Sequence, residues 1–273
     1  MTGGRDPLDR MAAALERLAG RSAGLAADWL AHPAYVVGEQ GARSVPELEA
    51  PALELLQGID RHRDVVLANL RRHATGAAAH DMFLWGARGM GKSALVRAAV
   101  ADVQKETAAL ALVQLAPGTL PTFPALIAEL AGQSRAFLLF IDDLGFGADG
   151  RAEMLALRSL LDGGLAPRPA HIRIVVTANR RSIVEREDTS TAIHERDERD
   201  DALALADRFG LTLGFHPADK DTYLAIVTGY TAPLGLGFDP EEAMAFAIQR
   251  GNRSGRTALQ FATEIAGRAG MKL

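Results

Sequence analysis

The chain has 273 residues, 30 basic and 34 acidic, and a formal net charge of −4. Its length holds one large domain, or a medium domain with a small companion, and an apolar share of 48% supplies a core. The absence of cysteine excludes disulfides, thiolate nucleophiles and Cys-ligated zinc, and the charge balance argues against a broad nucleic-acid-binding surface while permitting a local basic patch.

Residues 8–31 carry Met11, Leu15, Leu18, Leu25, Trp29 and Leu30 at spacings that fit one amphipathic helix or two, interrupted at Gly20 and Gly24. A helical extension is expected there, packed on the main domain or docking a partner. Residues 32–51 contain Pro33, Gly38, Gly41, Pro46 and Pro51 and read as a linker, so 1–51 form an extension and the main domain starts at Ala52. Asp60 is a plausible N-cap for a helix over Arg61–His73. Strands are predicted at Met82–Trp85, Leu110–Leu115, Ala136–Ile141, His171–Thr177 and Leu211–Phe215, with helical patterns between them at Ala94–Lys105, Phe123–Leu130 and Met154–Leu161. This alternation predicts an α/β fold, a doubly wound parallel sheet of five strands over residues 52–216. From Pro217 onward the strands cease. Asp219–Gly229, Glu241–Gln249 and Thr257–Ala266 are helical in pattern, a small C-terminal helical lid over 217–273.

Gly86-Ala87-Arg88-Gly89-Met90-Gly91-Lys92-Ser93 has the P-loop spacing G-x-x-x-x-G-K-[ST], between a strand and a helix. The glycines let successive backbone N–H groups turn inward toward a phosphate, and the helix start adds further donors and the positive end of its dipole. Lys92 would reach the β- and γ-phosphates and Ser93 would ligate Mg2+. Ala136–Ile141 is the most apolar segment, as expected of a strand buried on both faces, and ends at Asp142-Asp143. The first carboxylate is suited to hold the metal's hydration shell and the second to orient the attacking water. Asn179, at the end of another strand, could donate to the γ-phosphate or to that water. Gly86, Asp142 and Asn179 thus fall on the one sheet edge where ligands bind in such folds. Arg208 precedes the last strand, and Arg256 opens the last helix.

Two compact basic clusters, Arg71-Arg72-His73 and Arg180-Arg181, are too small to argue for DNA. Glu185–Asp201 mixes both signs of charge and reads as a solvated loop or an intersubunit surface, and His194 within it has no second ligand at metal spacing. No apolar run reaches a bilayer-spanning length, and no continuous apolar signal segment opens the chain. A cytoplasmic protein is therefore expected.

These motifs together resemble the AAA+ ATPases, and most closely a small bacterial ATP-binding family within them, catalogued as domain of unknown function 815. The resemblance covers roughly Leu53 to Gly267. It is carried by Leu56-Gln57-Gly58-Ile59, Leu84-Trp85-Gly86-Ala87-Arg88-Gly89, Gly91-Lys92-Ser93, Ile141-Asp142-Asp143-Leu144, Thr177-Ala178-Asn179-Arg180-Arg181, Asp207-Arg208-Phe209-Gly210-Leu211 and Arg250-Gly251-Asn252-Arg253-Ser254-Gly255-Arg256. It implies ATP and Mg2+ as cofactors, with Leu56 and Ile59 flanking the adenine and the phosphates held along Gly86–Ala94. Asn179 would be sensor 1, Arg208 an arginine finger reaching a neighbouring subunit's nucleotide, and Arg256 sensor 2. It further implies a homo-oligomer in the nucleotide-bound state that remodels or loads a macromolecular client.

Met90 stands where Thr is usual, yet offers the same backbone N–H. Asp143 stands where most such enzymes carry Glu; being one methylene shorter, it requires the water to approach more closely. Three readings follow from the same residues: an ATPase, a P-loop kinase of a small molecule, and a nucleotide-gated binding module with little hydrolysis.

Overall fold

The computed structural model describes residues 27–116, 118–145, 157–158, 160–162, 168–179 and 205–273. The predicted helices before residue 27, the 185–201 charged segment with His194, and the Arg180-Arg181 pair lie outside these residues.

Among the described residues the centre is a sheet of seven strands, in the order β2-β1-β4-β5-β6-β3-β7. They are β1 (Ala34–Gly38), β2 (Gly41–Val45), β3 (Met82–Gly86), β4 (Leu110–Leu115), β5 (Ala136–Leu144), β6 (Ile172–Asn179) and β7 (Leu211–Phe215). Every pairing is parallel except that of β1 with β2. Strands β3 to β7 are the five predicted. The other two correct the linker reading of 32–51. There Gly38 and Gly41 close a hairpin, with Gly41 at φ 104°, and Pro33 and Pro46 bracket it instead of breaking it. The apolar run Ala34–Val37 is buried beside β4. Residues 29–31 form a turn and residues 27–28 are not helical, so no predicted helix runs through to Leu30.

The α-helices that lie wholly within the described residues are α1 (Asp60–Ala74), α2 (Lys92–Glu106), α3 (Phe123–Ala131), α4 (Lys220–Thr231), α5 (Pro240–Gln249) and α6 (Gly255–Arg268). Asp60 begins α1 from inside the first turn, where its carboxylate pairs with Arg63 at 2.9 Å; the cap residue is Ile59. In the C-terminal helices the caps follow sequence logic. Asp219, Asp239 and Ser254 each accept a backbone N–H of the first turn.

Side-chain alternation divides the core in two. Leu138 and Phe140 of β5 join Met82, Leu84 and Val175 in a cluster with Leu95, Val96 and Val100 of α2. Phe137, Leu139 and Ile141 join Phe83, Ile174 and Val176 on the other face, against Leu126 and Leu130 of α3. Strands β3, β4 and β5 are buried and largely apolar on both faces because helices cover both. The sheet's carboxyl edge is what remains open, and α4–α6 lie beside it.

Candidate functional site

Strand β3 runs into the glycine loop at Gly86, whose φ of 135° and contact with β7 leave no room for a side chain: a Cβ there would overlap the Phe215 carbonyl. The next amide, Ala87 N, donates to that carbonyl at 2.9 Å. The loop ends at Gly91, φ 87°, which caps α2 without any side-chain hydrogen bond, and no acidic residue lies in the first turn. The helix N-terminus is therefore left with donors and a positive dipole end for an anion.

Lys92 is 7% exposed. Its ammonium donates to the Gly86 and Ala87 carbonyls at 2.9 Å each and to Asn179 Oδ1 at 3.3 Å. Burial pulls its pKa from 10.5 down to about 8. Asp143 and Asp142 pull it upward, and Arg88 and Arg256 push it lower.

Beside it, Ser93 Oγ donates to Asp142 Oδ1 at 2.5 Å, and Thr177 Oγ1 donates to the same oxygen at 2.6 Å. Asp143 accepts from the Asn179 amide, and Arg88 Nη2 lies 3.5 Å from its other oxygen. Two short networks thus converge from α2, β5, β6 and the loop.

The lid closes the arrangement. Arg256, at the start of α6, donates its N–H to the Gly89 carbonyl at 3.1 Å. A Cβ on Gly89 would stand 2.7 Å from Ser254 Oγ and 3.1 Å from the Cβ of Arg256. The loop glycine is what lets α6 approach.

A cavity of about 570 Å³ runs between these parts. Its polar end is lined by Arg88, Gly89, Met90, Gly91, Lys92, Ser93 and Ala94, with Asp142, Asp143, Asn179 and Arg256 opposite. Leu56 and Ile59 line the apolar end. Gly86 and Ala87 reach the site through the carbonyls that hold Lys92. Arg208 is not among the lining residues; it pairs with Asp162, Nε to Oδ1 at 2.5 Å and Nη2 to Oδ2 at 3.2 Å. Sequence reasoning missed Thr177, Arg97, Ile226, Tyr230 and Leu259, all of which line the cavity. A strand period of two would have placed Thr177 on the face of Asn179, and a helix period of four Arg97 on that of Ser93. Tyr230 and Ile226 are likewise four apart on α4, which offered a face but no reason to aim it here.

Arg88, Lys92, Arg97 and Arg256 outnumber the two aspartates, so the cavity favours a polyanion. Among the described residues no group of three His, Cys, Asp or Glu could cage a metal. One hydroxyl and one carboxylate, 2.5 Å apart, instead fit a hard cation whose remaining ligands are water and phosphate oxygen.

A family model described as "Protein of unknown function (DUF815)" matches residues 30–269. The chain belongs to that family. No curated protein matches its sequence. Among solved structures, the RuvB Holliday junction branch migration motor of Thermotoga maritima aligns with a TM-score of 0.51 at 17% identity, over 82% of this chain and 68% of that one. A single-residue variant of that motor gives 0.53 at 16% identity over the same shares. The Aeropyrum pernix ORC1 protein, solved in complex with DNA, gives 0.55 at 14% identity, over 78% of this chain and 61% of that one. The fold of this DUF815 chain is therefore that of the AAA+ P-loop ATPases. Among the described residues no helix is long and apolar enough to cross a membrane.

Proposed function

We propose that the protein is a cytoplasmic, Mg2+-dependent AAA+ ATPase that hydrolyses ATP to ADP and phosphate and couples the reaction to remodelling or loading a macromolecular client. One observation carries the reading: Lys92, the Ser93–Asp142 pair and the Asp143–Asn179 pair converge on one cavity with Arg256.

In this reading the loop amides and Lys92 bind the β- and γ-phosphates, and the lysine exchanges carbonyl partners for phosphate oxygens. Ser93 and Asp142 hold the metal, which supplies charge neutralisation at the phosphates. Asp143 accepts a hydrogen bond from the attacking water and orients it, and Asn179 fixes that carboxylate and the γ-phosphate together. Arg256 binds the phosphates from the lid. Leu56 and Ile59 sandwich the adenine. Arg208 serves a neighbouring subunit's nucleotide in a homo-oligomer, which accounts for its place outside its own chain's cavity. Two of the solved structures that the protein resembles are a Holliday junction motor and a protein in complex with DNA. The net charge of −4 therefore does not decide against a nucleic-acid client.

The test is phosphate release by purified protein with Mg2+ and ATP, across a range of protein concentrations. Lys92→Ala should abolish binding of a fluorescent ATP analogue. Asp143→Asn should bind the analogue normally and release about a hundredfold less phosphate. Wild-type protein that binds ATP but releases no phosphate at any concentration would overturn the hydrolytic reading.

A further inference from the structure

Thr177 is 1% exposed and sits where β5 and β6 change register. The strands pair residue for residue up to Ile141 and Val176, and pairing resumes at Leu144 and Ala178. Asp142 and Asp143 together oppose Thr177, the two-against-one count of a β-bulge.

The core records what this does to side-chain direction. In a regular strand, residues three apart lie on opposite faces. Ile141 and Leu144 nevertheless pack in the same cluster, on the α3 side. Leu144 takes the place on that face that Asp143 would have filled. Asp143 instead adopts φ 57°, the only positive φ outside glycine among the described residues, and its carboxylate meets Arg88 and Asn179. Aspartate tolerates the left-handed region better than most residues do, and glutamate does not share that tolerance.

A single hydroxyl joins the two acids of this bulge. Thr177 Oγ1 accepts the Asp143 N–H at 2.8 Å and donates to Asp142 Oδ1 at 2.6 Å. Both of its capacities are used on the two residues opposite it.

We propose that Thr177 is a positioning residue whose buried hydroxyl holds this bulge and so turns Asp142 and Asp143 together toward the phosphate-binding loop. The inference rests on the Mg2+-ATPase reading of the site. Without the hydroxyl, Asp142 keeps Ser93 as its one side-chain donor among the described residues, and the Asp143 amide loses its hydroxyl acceptor. Both the metal-binding oxygen and the water-orienting oxygen then lose their fixed positions.

Thr177→Val keeps the shape and the strand preference and removes only the hydroxyl; Thr177→Ser keeps the hydroxyl and removes the methyl. Three readouts are needed on the full chain: steady-state ATPase kinetics, affinity for a fluorescent ADP analogue with and without Mg2+, and Mn2+ binding in the presence of ADP by electron paramagnetic resonance. For the Val variant, kcat should fall by about 10- to 100-fold with KM changed by less than about threefold. Its metal-free ADP affinity should match wild type, while Mn2+ affinity and the gain in affinity from Mg2+ are largely lost. The Ser variant should recover all three readouts to within about threefold of wild type. Wild-type kcat and Mn2+ affinity in the Val variant would overturn the inference, as would a Ser variant as defective as Val. Should Val unfold the strand, the Ser variant decides: a loss of Mn2+ affinity of about tenfold there refutes the role of the hydroxyl. If wild-type protein neither releases phosphate nor binds Mn2+ with ADP, it is the ATPase reading that fails. An active wild type with an indifferent Val variant removes Thr177 alone.

Discussion

The ammonium of Lys92 lies 2.9 Å from the carbonyl oxygen of Gly86, so the lysine of the loop is folded back on the residue that opens it. It is a buried cation solvated by backbone carbonyls, with a pKa near 8 because desolvation outweighs the two aspartates. A bound triphosphate brings negative charge to the ammonium and raises that pKa. Binding therefore takes up a proton once the pH exceeds about 8. Below that value the lysine is already charged and affinity should be level. Above it, affinity should fall by up to about tenfold per pH unit. Calorimetry at pH 8.5 in buffers of different ionisation enthalpy should report net proton uptake. Affinity that stays constant between pH 7 and 9.5 would show that the cation is not the phosphate ligand.

Two glycines of the same loop should fail in different ways. At Gly86 a methyl meets the Phe215 carbonyl at a backbone angle that L-residues rarely adopt, so Gly86→Ala forces β3 away from β7. We expect a loss of about 3 kcal/mol or more in urea unfolding. At Gly89, which also has a positive φ of 76°, the steric obstacle is the start of α6, at Ser254 and Arg256. Gly89→Ala should displace the lid and leave the sheet intact: nucleotide affinity falls about tenfold while the melting temperature moves by only a few degrees. Equal destabilisation by the two variants would mean that lid and sheet do not respond separately.

Arg208 and Asp162 form a bidentate ion pair on the protein's surface. The aspartate holds the guanidinium's charge on and orients it, and each partner favours the charged form of the other. If the arginine acts on a neighbour's nucleotide, Arg208→Ala should lower kcat about a thousandfold and leave nucleotide affinity unchanged. Mixing Arg208→Ala with Lys92→Ala should restore part of the activity, since one subunit supplies the arginine and the other an intact loop. Specific activity of the wild type should also rise with protein concentration. No recovery on mixing would place the arginine in its own chain's chemistry or outside the reaction.

What was legible in the sequence follows the reach of local rules. The P-loop and the buried strand ending in two aspartates are contiguous signals, and their residues meet as side chains at hydrogen-bond distance. The hairpin at Ala34–Val45 was not legible, because glycines and prolines that bound two strands look the same as those that fill a linker. What fixes the hairpin is distant in sequence. Arg135, 8% exposed, donates to the carbonyls of His32 at 2.7 Å and Leu110 at 3.0 Å, tying the approach to β1 onto the sheet. No periodicity announces an arginine buried among carbonyls. The bulge at Asp142–Asp143 was equally hidden, since an extra residue in a strand changes direction without changing composition. The apolar end of the cavity, with Tyr230 and Leu259 from the lid, depends on a packing between elements that sequence order leaves open.

His73 ties the stability of the fold to pH. It lies on α1, 2% exposed, with Nε2 hydrogen-bonded to the Phe137 carbonyl at 3.0 Å, so Nε2 bears the proton of a neutral ring. Burial lowers its pKa from 6.5 to about 4. The Phe137 carbonyl and Asp81 act in the opposite sense, and Arg173 and His171 add to the lowering. A histidine in an unfolded chain takes up its proton near pH 6.5, whereas the folded one resists until about pH 4. Between those values the unfolded state binds more protons, and stability falls as the solution is acidified. The loss should begin below about pH 6.5 and approach about 3 kcal/mol near pH 4. Carboxylates titrate in the same range, so the comparison must be with His73→Gln, whose amide can still donate to Phe137. Urea midpoints at pH 7, 5.5 and 4.5 should converge between the two proteins as pH falls, with wild type losing more. Parallel pH profiles would mean that the ring titrates alike in the folded and unfolded chains, so that burial does not hold it neutral.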